Sequence, residues 1–210
     1  MIEKEIYLIR HGETDLNRQG IVQGRGVNAG LNECGHRQAQ AFYRHFAGEG
    51  FEVVYASSLL RTRETVAPFI AAGCRLEINA DLDEISWGIY EGKLPDPETS
   101  KKYQQMLMRW QNGEYHAKIP GGESPLELQQ RQVRFIESVL KPAPYRKILI
   151  CSHGRAMRAM LCTMLQQPLK LMDTYPHQNL SLYKVLLRGD QFELLWFNHT
   201  THLTQLGLMT

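Results

Sequence analysis

The chain has 210 residues, of which 43% are hydrophobic and 22% are charged, and its formal net charge at pH 7 is +2. This composition is ordinary for a globular protein with a sizeable core, and so small a charge excludes the strongly basic balance of a nucleic-acid-binding protein. No run approaches the roughly 18 consecutive apolar residues of a membrane span. We therefore expect neither nucleic acid nor a membrane as a partner.

The cysteines and the N-terminus indicate the compartment. The four cysteines, Cys34, Cys74, Cys151 and Cys162, lack the spacing of a disulfide framework and are typical of a reduced intracellular protein. The N-terminus enters a strand-like run at once, without the apolar core of a signal peptide. We therefore expect a cytoplasmic protein.

Three segments share one local plan, in which a short apolar strand leads through a polar turn towards a helix. The strands are predicted at residues 6–9, 51–55 and 147–151, and helices follow the last two at about 59–72 and 155–165. Ser57 or Ser58 is predicted to cap the first of these helices, because a hydroxyl oxygen accepts hydrogen bonds from free first-turn amides.

Further elements fill the intervals between these segments. Apolar residues at three- and four-residue steps predict helices over 32–50 and 129–140. Two apolar runs at 181–187 and 192–197, joined by a polar turn, are typical of a hairpin at a sheet edge. Residues 93–122 combine prolines with a polar helical stretch, which we interpret as an excursion from the core.

Short apolar strands that alternate with helices indicate a mostly parallel sheet covered on both faces. We therefore predict an α/β fold, a three-layer sandwich whose central sheet is flanked by helices on both faces and ends in a C-terminal edge hairpin. One domain is expected over residues 1–210, with a small, lid-like helical excursion over the site at about 93–122.

Polar side chains follow the predicted strands where each strand ends. Arg10-His11 and Ser152-His153 follow two of them directly, and Arg61 lies one turn into the helix after another. Because ligands of open α/β sheets bind beyond the carboxyl ends of the strands, we expect these histidines and arginines to meet at one edge.

This set of residue types suits a phosphate ester. Guanidiniums match phosphate oxygens, and neighbouring cations disfavour protonation of His11, which leaves a ring nitrogen free to attack. Gly12 lets the phosphoryl group approach the backbone, and the free amides that begin at Gly154 favour an anion. His153 can donate to the phosphate oxygens as charge shifts in the transition state.

The leaving alkoxide also needs a proton donor. Asp81, Asp83 and Glu84 lie together in a loop-like stretch, and a positioned general acid contributes about 10² to 10⁴ in rate. The residues alone do not separate the three candidates.

Motifs along most of the chain, in the same order, resemble the histidine phosphatase (phosphoglycerate mutase-like) superfamily. They are Arg10-His11-Gly12-Glu13-Thr14, Asn17, Gln23-Gly24, Leu31-Asn32-Glu33, Ser57-Ser58-Leu59-Leu60-Arg61-Thr62, Glu84 with Gly88, Gly121-Gly122-Glu123-Ser124 and Ser152-His153-Gly154. The resemblance implies His11 as the phosphorylated nucleophile and Glu84 as the proton donor.

The resemblance also implies the binding residues. Arg10, Arg61 and His153 are expected to form the phosphate pocket, and Asn17, Gln23 and Gly24 to add phosphate or substrate contacts, with Gly154 opening the helix beside them. It implies a histidine acid-type phosphatase that needs no metal or organic cofactor and acts on a small-molecule phosphate ester.

Departures from the superfamily pattern favour hydrolysis. Mutases usually follow the acid with Arg-His-Tyr-Gly, whereas Glu84 is followed by Ile85-Ser86-Trp87-Gly88. The chain also lacks the length of the mutase inserts that keep water from the phosphohistidine. The loop at residues 25–30 is one residue longer than the common form and has Asn28 where Asp is usual.

A phosphomonoesterase is therefore the leading hypothesis, a cofactor-dependent phosphoglycerate mutase is the alternative, and a non-catalytic phosphate-binding protein is a third. Met106, Met108 and Trp110 either line a substrate pocket or simply pack, and His177 either reaches the pocket or caps the last strands. The substrate and the oligomeric state stay open.

Overall fold

The computed structural model describes residues 3–204. The strands are β1 (Lys4–Arg10), β2 (Val53–Ala56), β3 (Arg75–Ile78), β4 (Lys147–Ser152), β5 (Leu182–Arg188) and β6 (Gln191–His199). The helices are α1 (Asp15–Arg18), α2 (Glu33–Phe46), α3 (Leu60–Ala71), α4 (Pro97–Gln111), α5 (Pro125–Phe135), α6 (Gly154–Met164) and α7 (Thr201–Thr204).

All six of these strands join one sheet in the order β3-β2-β4-β1-β5-β6. The first four pair in parallel, and β5 and β6 add an antiparallel hairpin at the edge. The mostly parallel sheet and its C-terminal hairpin are thus confirmed.

Each face of the sheet packs against its own helices. In β1, Ile6 and Leu8 join the core formed with α5 and α6, whereas Tyr7 and Ile9 join the core formed with α2 and α3. Successive side chains of a strand point to opposite faces, so a continuously apolar strand must be covered on both. The predicted three-layer α/β sandwich follows from this pattern and is confirmed.

The sheet changes winding direction between β1 and β4. The long helix that follows β1, α2, packs on one face, and α6, which follows β4, packs on the other. Neighbouring parallel strands whose connections leave on opposite faces open a crevice beyond their carboxyl ends, where open α/β folds bind ligands. The two histidine-bearing segments end at this crevice.

The start of α3 differs from the prediction. Neither Ser57 nor Ser58 is its N-cap; Leu59 holds that position without a side-chain cap. Instead, Asn28 Oδ1 accepts from the backbone N–H of Leu60 at 2.7 Å. The cap therefore comes from a loop distant in sequence, and the serines are left to bind other groups.

Two further elements depart from the prediction. The helix expected over 129–140 begins at Pro125, because Ser124 and Glu127 form a capping box, and it ends as a π-helical turn over Ile136–Leu140. Strand β3 was missed, since its four residues are exposed or half-buried at the sheet edge and show no apolar run.

Helix α4 lies within the predicted excursion. Its Trp110 is 2% exposed in the same core as α5 and α6, and its indole Nε1 donates to the carbonyl of Ala117 at 2.8 Å. Part of this segment therefore belongs to the core. Among the described residues, no helix is long and apolar enough to cross a membrane.

Candidate active site

The ends of β1 and β4 bring the two predicted histidines together. Arg10 pairs in register with Ser152, and the backbone N–H of His11 donates to the Ser152 carbonyl at 3.0 Å. The rings of His11 and His153 consequently lie side by side, with centroids 5.2 Å apart. The parallel register alone accounts for this proximity, since both residues occupy the next position in their chains.

His11 has the geometry of a neutral nucleophile. Its Nδ1 lies 2.7 Å from the carbonyl oxygen of Gly12, which can only accept, so Nδ1 carries the proton and Nε2 keeps its lone pair. Burial lowers the pKa of His11 well below its ordinary range, and the charges of Arg61 and Arg10 lower it further. The ring is therefore uncharged at neutral pH.

His153 lies behind His11 and is completely buried. Its Nδ1 accepts from Arg61 Nε at 3.1 Å, so its proton sits on Nε2, which lies 2.8 Å from Ser57 Oγ. Burial, followed by the charge of Arg61, lowers the pKa of His153 well below its ordinary range. Both ring nitrogens are thus engaged by protein groups, which differs from the predicted donation to phosphate.

Backbone carbonyls hold the two predicted arginines. Arg10 Nη1 donates to the carbonyl of His177 at 2.8 Å, and Arg61 Nη1 donates to that of Val27 at 2.6 Å. Burial lowers the pKa of each to about 10, so both remain charged at neutral pH. The Nε of Arg10 is buried and has no hydrogen-bond partner among the described residues.

Glu84 occupies the N-terminus of α6. Its Oε1 accepts from the backbone N–H groups of Ile85 at 2.9 Å and Ala156 at 2.8 Å, and its Oε2 accepts from that of Arg155 at 3.1 Å. The expectation that the amides after Gly154 receive a phosphate is therefore wrong for these two amides. The oxygens of the Glu84 side chain take these amides instead, because free first-turn N–H groups need acceptors.

The structure separates the three acidic candidates for proton donor. Glu84 lines the same cavity as His11. Asp83 instead accepts from the backbone N–H and the hydroxyl of Ser58, at 2.9 and 2.7 Å. Asp81 pairs with exposed Arg134 at 2.8 Å. Of these three acids, only Glu84 lines the cavity.

Two of the three predicted loop contacts lie at the site. Asn17 and Gln23 line the cavity, and Gln23 Nε2 donates to Thr14 Oγ1 at 2.8 Å. Gly24 lies outside the lining. A Cβ at Gly24 would lie 2.8 Å from the backbone carbonyl oxygen of Ile85, so close packing is what requires a glycine there.

Gly12 is also small for a reason that the sequence analysis did not predict. A Cβ added to Gly12 would lie 2.8 Å from the carbonyl oxygen of Gly35, closer than side chains are normally found. The first turn of α2 therefore crosses the nucleophile loop at backbone distance. The contact fixes the loop that carries His11.

A cavity of about 320 Å³ lies beyond the ends of β1 and β4. Its predicted lining residues are Arg10, His11, Asn17, Gln23, Glu84 and Gly154, with His177 among those left open. Arg61, His153 and Gly24 do not line it, and the first two are completely buried. Of the predicted phosphate pocket, Arg10 therefore lines the cavity, whereas Arg61 and His153 are buried outside its lining.

The cavity also contains residues that the sequence analysis missed. Arg155, Arg158, Asp173 and Tyr103 line it, whereas Met106, Met108 and Trp110 do not. The two arginines could have been predicted from the sequence, since they follow Ser-His-Gly at a three-residue step that places them on one helix face. Asp173 could not have been predicted, because only the fold brings its segment to α6.

Metal ligands are not gathered in the described part of the chain, where no group of three or more His, Cys, Asp or Glu side chains could hold an ion. The four cysteines are free thiols, as expected.

Comparisons with known proteins show the family of the chain. The sequence model of the histidine phosphatase superfamily (branch 1) matches residues 6–200. A protein named "Probable phosphoglycerate mutase GpmB" from Yersinia pestis is 34% identical over 186 residues, which cover 86% of this chain and 84% of that protein. Another, named "Putative phosphoserine phosphatase 2", from Hydrogenobacter thermophilus, is 28% identical over 204 residues, 97% of this chain and 99% of that protein.

Among solved structures, the α-ribazole phosphatase from Shigella flexneri superposes with a TM-score of 0.81 at 24% identity. The match covers 93% of this chain and 96% of that one. At this identity the likeness establishes the fold.

Proposed function

Because the chain belongs to the histidine phosphatase superfamily, we propose that it is a phosphomonoesterase that hydrolyses a small phosphorylated metabolite through a phosphohistidine at His11. One observation carries the proposal: His11, with its lone pair on Nε2, lines the same cavity as the carboxyl group of Glu84. The nucleophile and the acid therefore line one cavity, where both can act on the same ester. The volume of about 320 Å³ is at the small end of ligand pockets and suits a compact metabolite.

The first step transfers the phosphoryl group to the protein. The lone pair of His11 Nε2 attacks phosphorus, so that a P–N bond forms while the P–O bond to the alcohol breaks. Glu84 gives its proton to the departing oxygen, and the alcohol leaves neutral.

The second step returns the protein to its starting state. Glu84, now a carboxylate, takes a proton from water as the water oxygen attacks phosphorus. The P–N bond breaks, its electron pair returns to Nε2, and inorganic phosphate leaves. Glu84 ends protonated and His11 ends neutral, so the cycle is balanced.

The arginines supply the charge that phosphoryl transfer requires. Arg10 lines the cavity, and its unpartnered Nε is a donor that a phosphate oxygen would satisfy. Arg61 adds positive charge from behind and is held by His153, which in turn is held by Ser57. We assign Arg10 to direct phosphate binding and these three buried residues to support of it.

The relative whose name denotes a phosphoglycerate mutase makes that activity the second candidate. The wall after Glu84 favours hydrolysis instead. Trp87 lines the cavity and packs against the ring of Tyr103 at 5.0 Å and that of Trp110 at 5.5 Å. On this side the cavity offers the aromatic surface of Trp87 and Tyr103, and the run Ile85-Ser86-Trp87-Gly88 itself supplies no cation for a second phosphate.

We further propose that the reaction needs no metal or cofactor, since His11 is the nucleophile and Glu84 the proton donor. A cytoplasmic location, and a small-molecule phosphate ester rather than nucleic acid or a membrane as partner, belong to the same proposal.

The test combines two substrates with a covalent trap. Wild type is incubated with p-nitrophenyl phosphate and with 3-phosphoglycerate, with and without a chelator, and rapid quenching detects acid-labile phosphate on the protein. We expect wild type to release phosphate and to carry acid-labile phosphate after quenching, and His11→Ala to do neither. His36→Ala, which changes an exposed histidine, should behave like wild type. Isomerisation without release would replace the proposal by a mutase. Activity retained in His11→Ala would overturn the mechanism.

A further inference from the structure

The turn over residues 177–180, just before β5, holds the backbone that carries the nucleophile. The backbone N–H of Leu180 donates to the carbonyl of Arg10 at 3.1 Å, and Asn179 Nδ2 donates to the carbonyl of His11 at 2.9 Å. The same turn supplies the carbonyl that accepts from the guanidinium of Arg10. The placement of two site residues therefore depends on this turn.

Leu180 gives the turn a strained backbone. Its φ is +57°, in the left-handed region, and its side chain is completely buried. This conformation is unfavourable for a bulky residue and persists only where neighbouring contacts hold it. The N–H of Leu180 is bound to Arg10, and its carbonyl accepts from His202 Nε2 at 3.0 Å. His202, in α7, thus binds the strained residue of the turn.

Packing alone does not require a histidine at position 202. The ring of His202 is 2% exposed and lies 5.1 Å from that of Phe42 and 5.5 Å from that of Phe46. Its Nδ1 is buried and has no hydrogen-bond partner among the described residues. A phenylalanine would fill this aromatic site without an unpaired nitrogen. The imidazole therefore adds one thing, the hydrogen bond from Nε2–H to a carbonyl that can only accept.

We propose that His202 is a positioning residue for phosphoryl transfer. Its Nε2–H holds Leu180 in the left-handed conformation. In this conformation the 177–180 turn fixes the backbone of Arg10 and His11. The inference rests on the proposed function, because it concerns the aim of the same nucleophile.

His202 acts through the turn, since it does not line the cavity. A displacement of about 1 Å at a reacting group can cost about 10²-fold in rate. A relaxed turn would therefore slow the attack of His11 on phosphorus, although every group that touches the ester is still present.

The test removes the donor and keeps the ring. His202→Phe retains the aromatic packing and cannot donate, whereas the amide of His202→Gln can donate from nearly the position of Nε2. His202→Asn has an amide too short to reach Leu180 and is a second variant without the bond. His199→Phe is the matched control, because the ring of His199 lies 6.2 Å from that of His202 and its buried Nδ1 also has no partner among the described residues.

The first measurement is the rate of phosphohistidine formation. Rapid quenching follows it with saturating p-nitrophenyl phosphate, at a temperature where urea denaturation shows that each variant is folded. We expect His202→Phe and His202→Asn to form phosphohistidine about 10- to 100-fold more slowly, with a smaller rise in KM. His202→Gln should recover most of the rate, and His199→Phe should match wild type.

Hydrogen exchange of the Leu180 amide reports on the turn without any turnover. This N–H is bonded to the carbonyl of Arg10, so a loosened turn exposes it to water more often. We expect its exchange to be about tenfold faster in His202→Phe, the equivalent of one hydrogen bond, and unchanged in His199→Phe.

Wild-type rates of phosphohistidine formation in His202→Phe and His202→Asn would overturn the positioning role. So would an equal loss in His199→Phe, which would assign the effect to packing of the aromatic rings, or a His202→Gln variant as slow as His202→Phe. Failure of the proposed function has a different signature: wild type forms no phosphohistidine, while the Leu180 amide still exchanges faster in His202→Phe than in wild type.

Discussion

Replacement of Glu84 by glutamine tests the proton donor while keeping the shape of the side chain. We expect Glu84→Gln to lower kcat for alkyl phosphates such as glycerol 3-phosphate by about 10² to 10⁴, or about 3 to 5 kcal/mol in activation free energy. With p-nitrophenyl phosphate the loss should be far smaller, because nitrophenolate is a weak base that leaves without a proton.

The same substitution has a separate, calculable effect on stability. The amide oxygen can take the place of Oε1, which accepts from Ile85 and Ala156, but the amide NH₂ then faces the N–H of Arg155. One buried donor is left unpaired, which costs about 1 to 3 kcal/mol. For a chain of this size each kcal/mol lowers the melting temperature by about 2 to 4 °C.

The assay therefore needs two esters and a thermal melt. Steady-state phosphate release is measured with both esters at a temperature where every variant is folded. The fold-loss of kcat with the alkyl phosphate is then divided by the fold-loss with p-nitrophenyl phosphate. Asp83→Asn is the matched control, because this neighbouring acid is held by Ser58 and lies outside the cavity. It should leave the ratio between the two esters unchanged.

The ratio decides the outcome. An equal loss with both esters would mean that Glu84 acts only by holding α6 in place, and the proton would have to come from elsewhere. A selective loss in Asp83→Asn would move the role to the neighbouring acid.

Three further predictions concern pH and packing. Burial lowers the pKa of His177 to about 2 and that of His202 to about 4. Below about pH 6.5 the unfolded chain therefore binds more protons than the folded one, and each histidine should remove about 2 kcal/mol of unfolding free energy between about pH 7 and 5, measured by urea denaturation. Gly35→Ala should destabilise the fold by at least about 1 to 3 kcal/mol in the same assay, since its Cβ would lie 2.1 Å from a backbone carbonyl oxygen, whereas Gly48→Ala has open space and should not. Ser57→Ala leaves the buried Nε2–H of His153 unpaired. It should therefore cost about 1 to 3 kcal/mol in unfolding free energy and cause a measurable fall in kcat.

Much of the site was predictable because it depends on local pattern and parallel register. An apolar run that ends in Arg10-His11, and a second that ends in Ser152-His153, suffice to place both histidines at one sheet edge once the strands are parallel neighbours. The helix after β2 then brings Arg61 from the third strand end. None of these steps needs knowledge of side-chain packing.

The remainder depends on contacts between distant segments. Asn28 caps α3 although it lies more than thirty positions before it in the sequence. Which of the adjacent acids Asp83 and Glu84 reaches the cavity depends on the groups that bind each of them, Ser58 for the first and the amides of α6 for the second. Asp173 reaches Arg155 through the fold alone. Composition and periodicity describe one element at a time, so they cannot distinguish such partners.

The buried cations serve the nucleophile and the phosphate in turn. Before a ligand binds, the charges of Arg10 and Arg61 add to burial in lowering the pKa of His11, so that its lone pair is available. A bound phosphate dianion offsets those same charges, which weakens the penalty on positive charge at His11 as its nitrogen begins to bond to phosphorus. One set of guanidiniums thereby keeps the free histidine uncharged and stabilises the charge distribution of phosphoryl transfer. For this reason replacing Arg61, although it does not line the cavity, should affect the pH dependence of phosphohistidine formation as well as its rate.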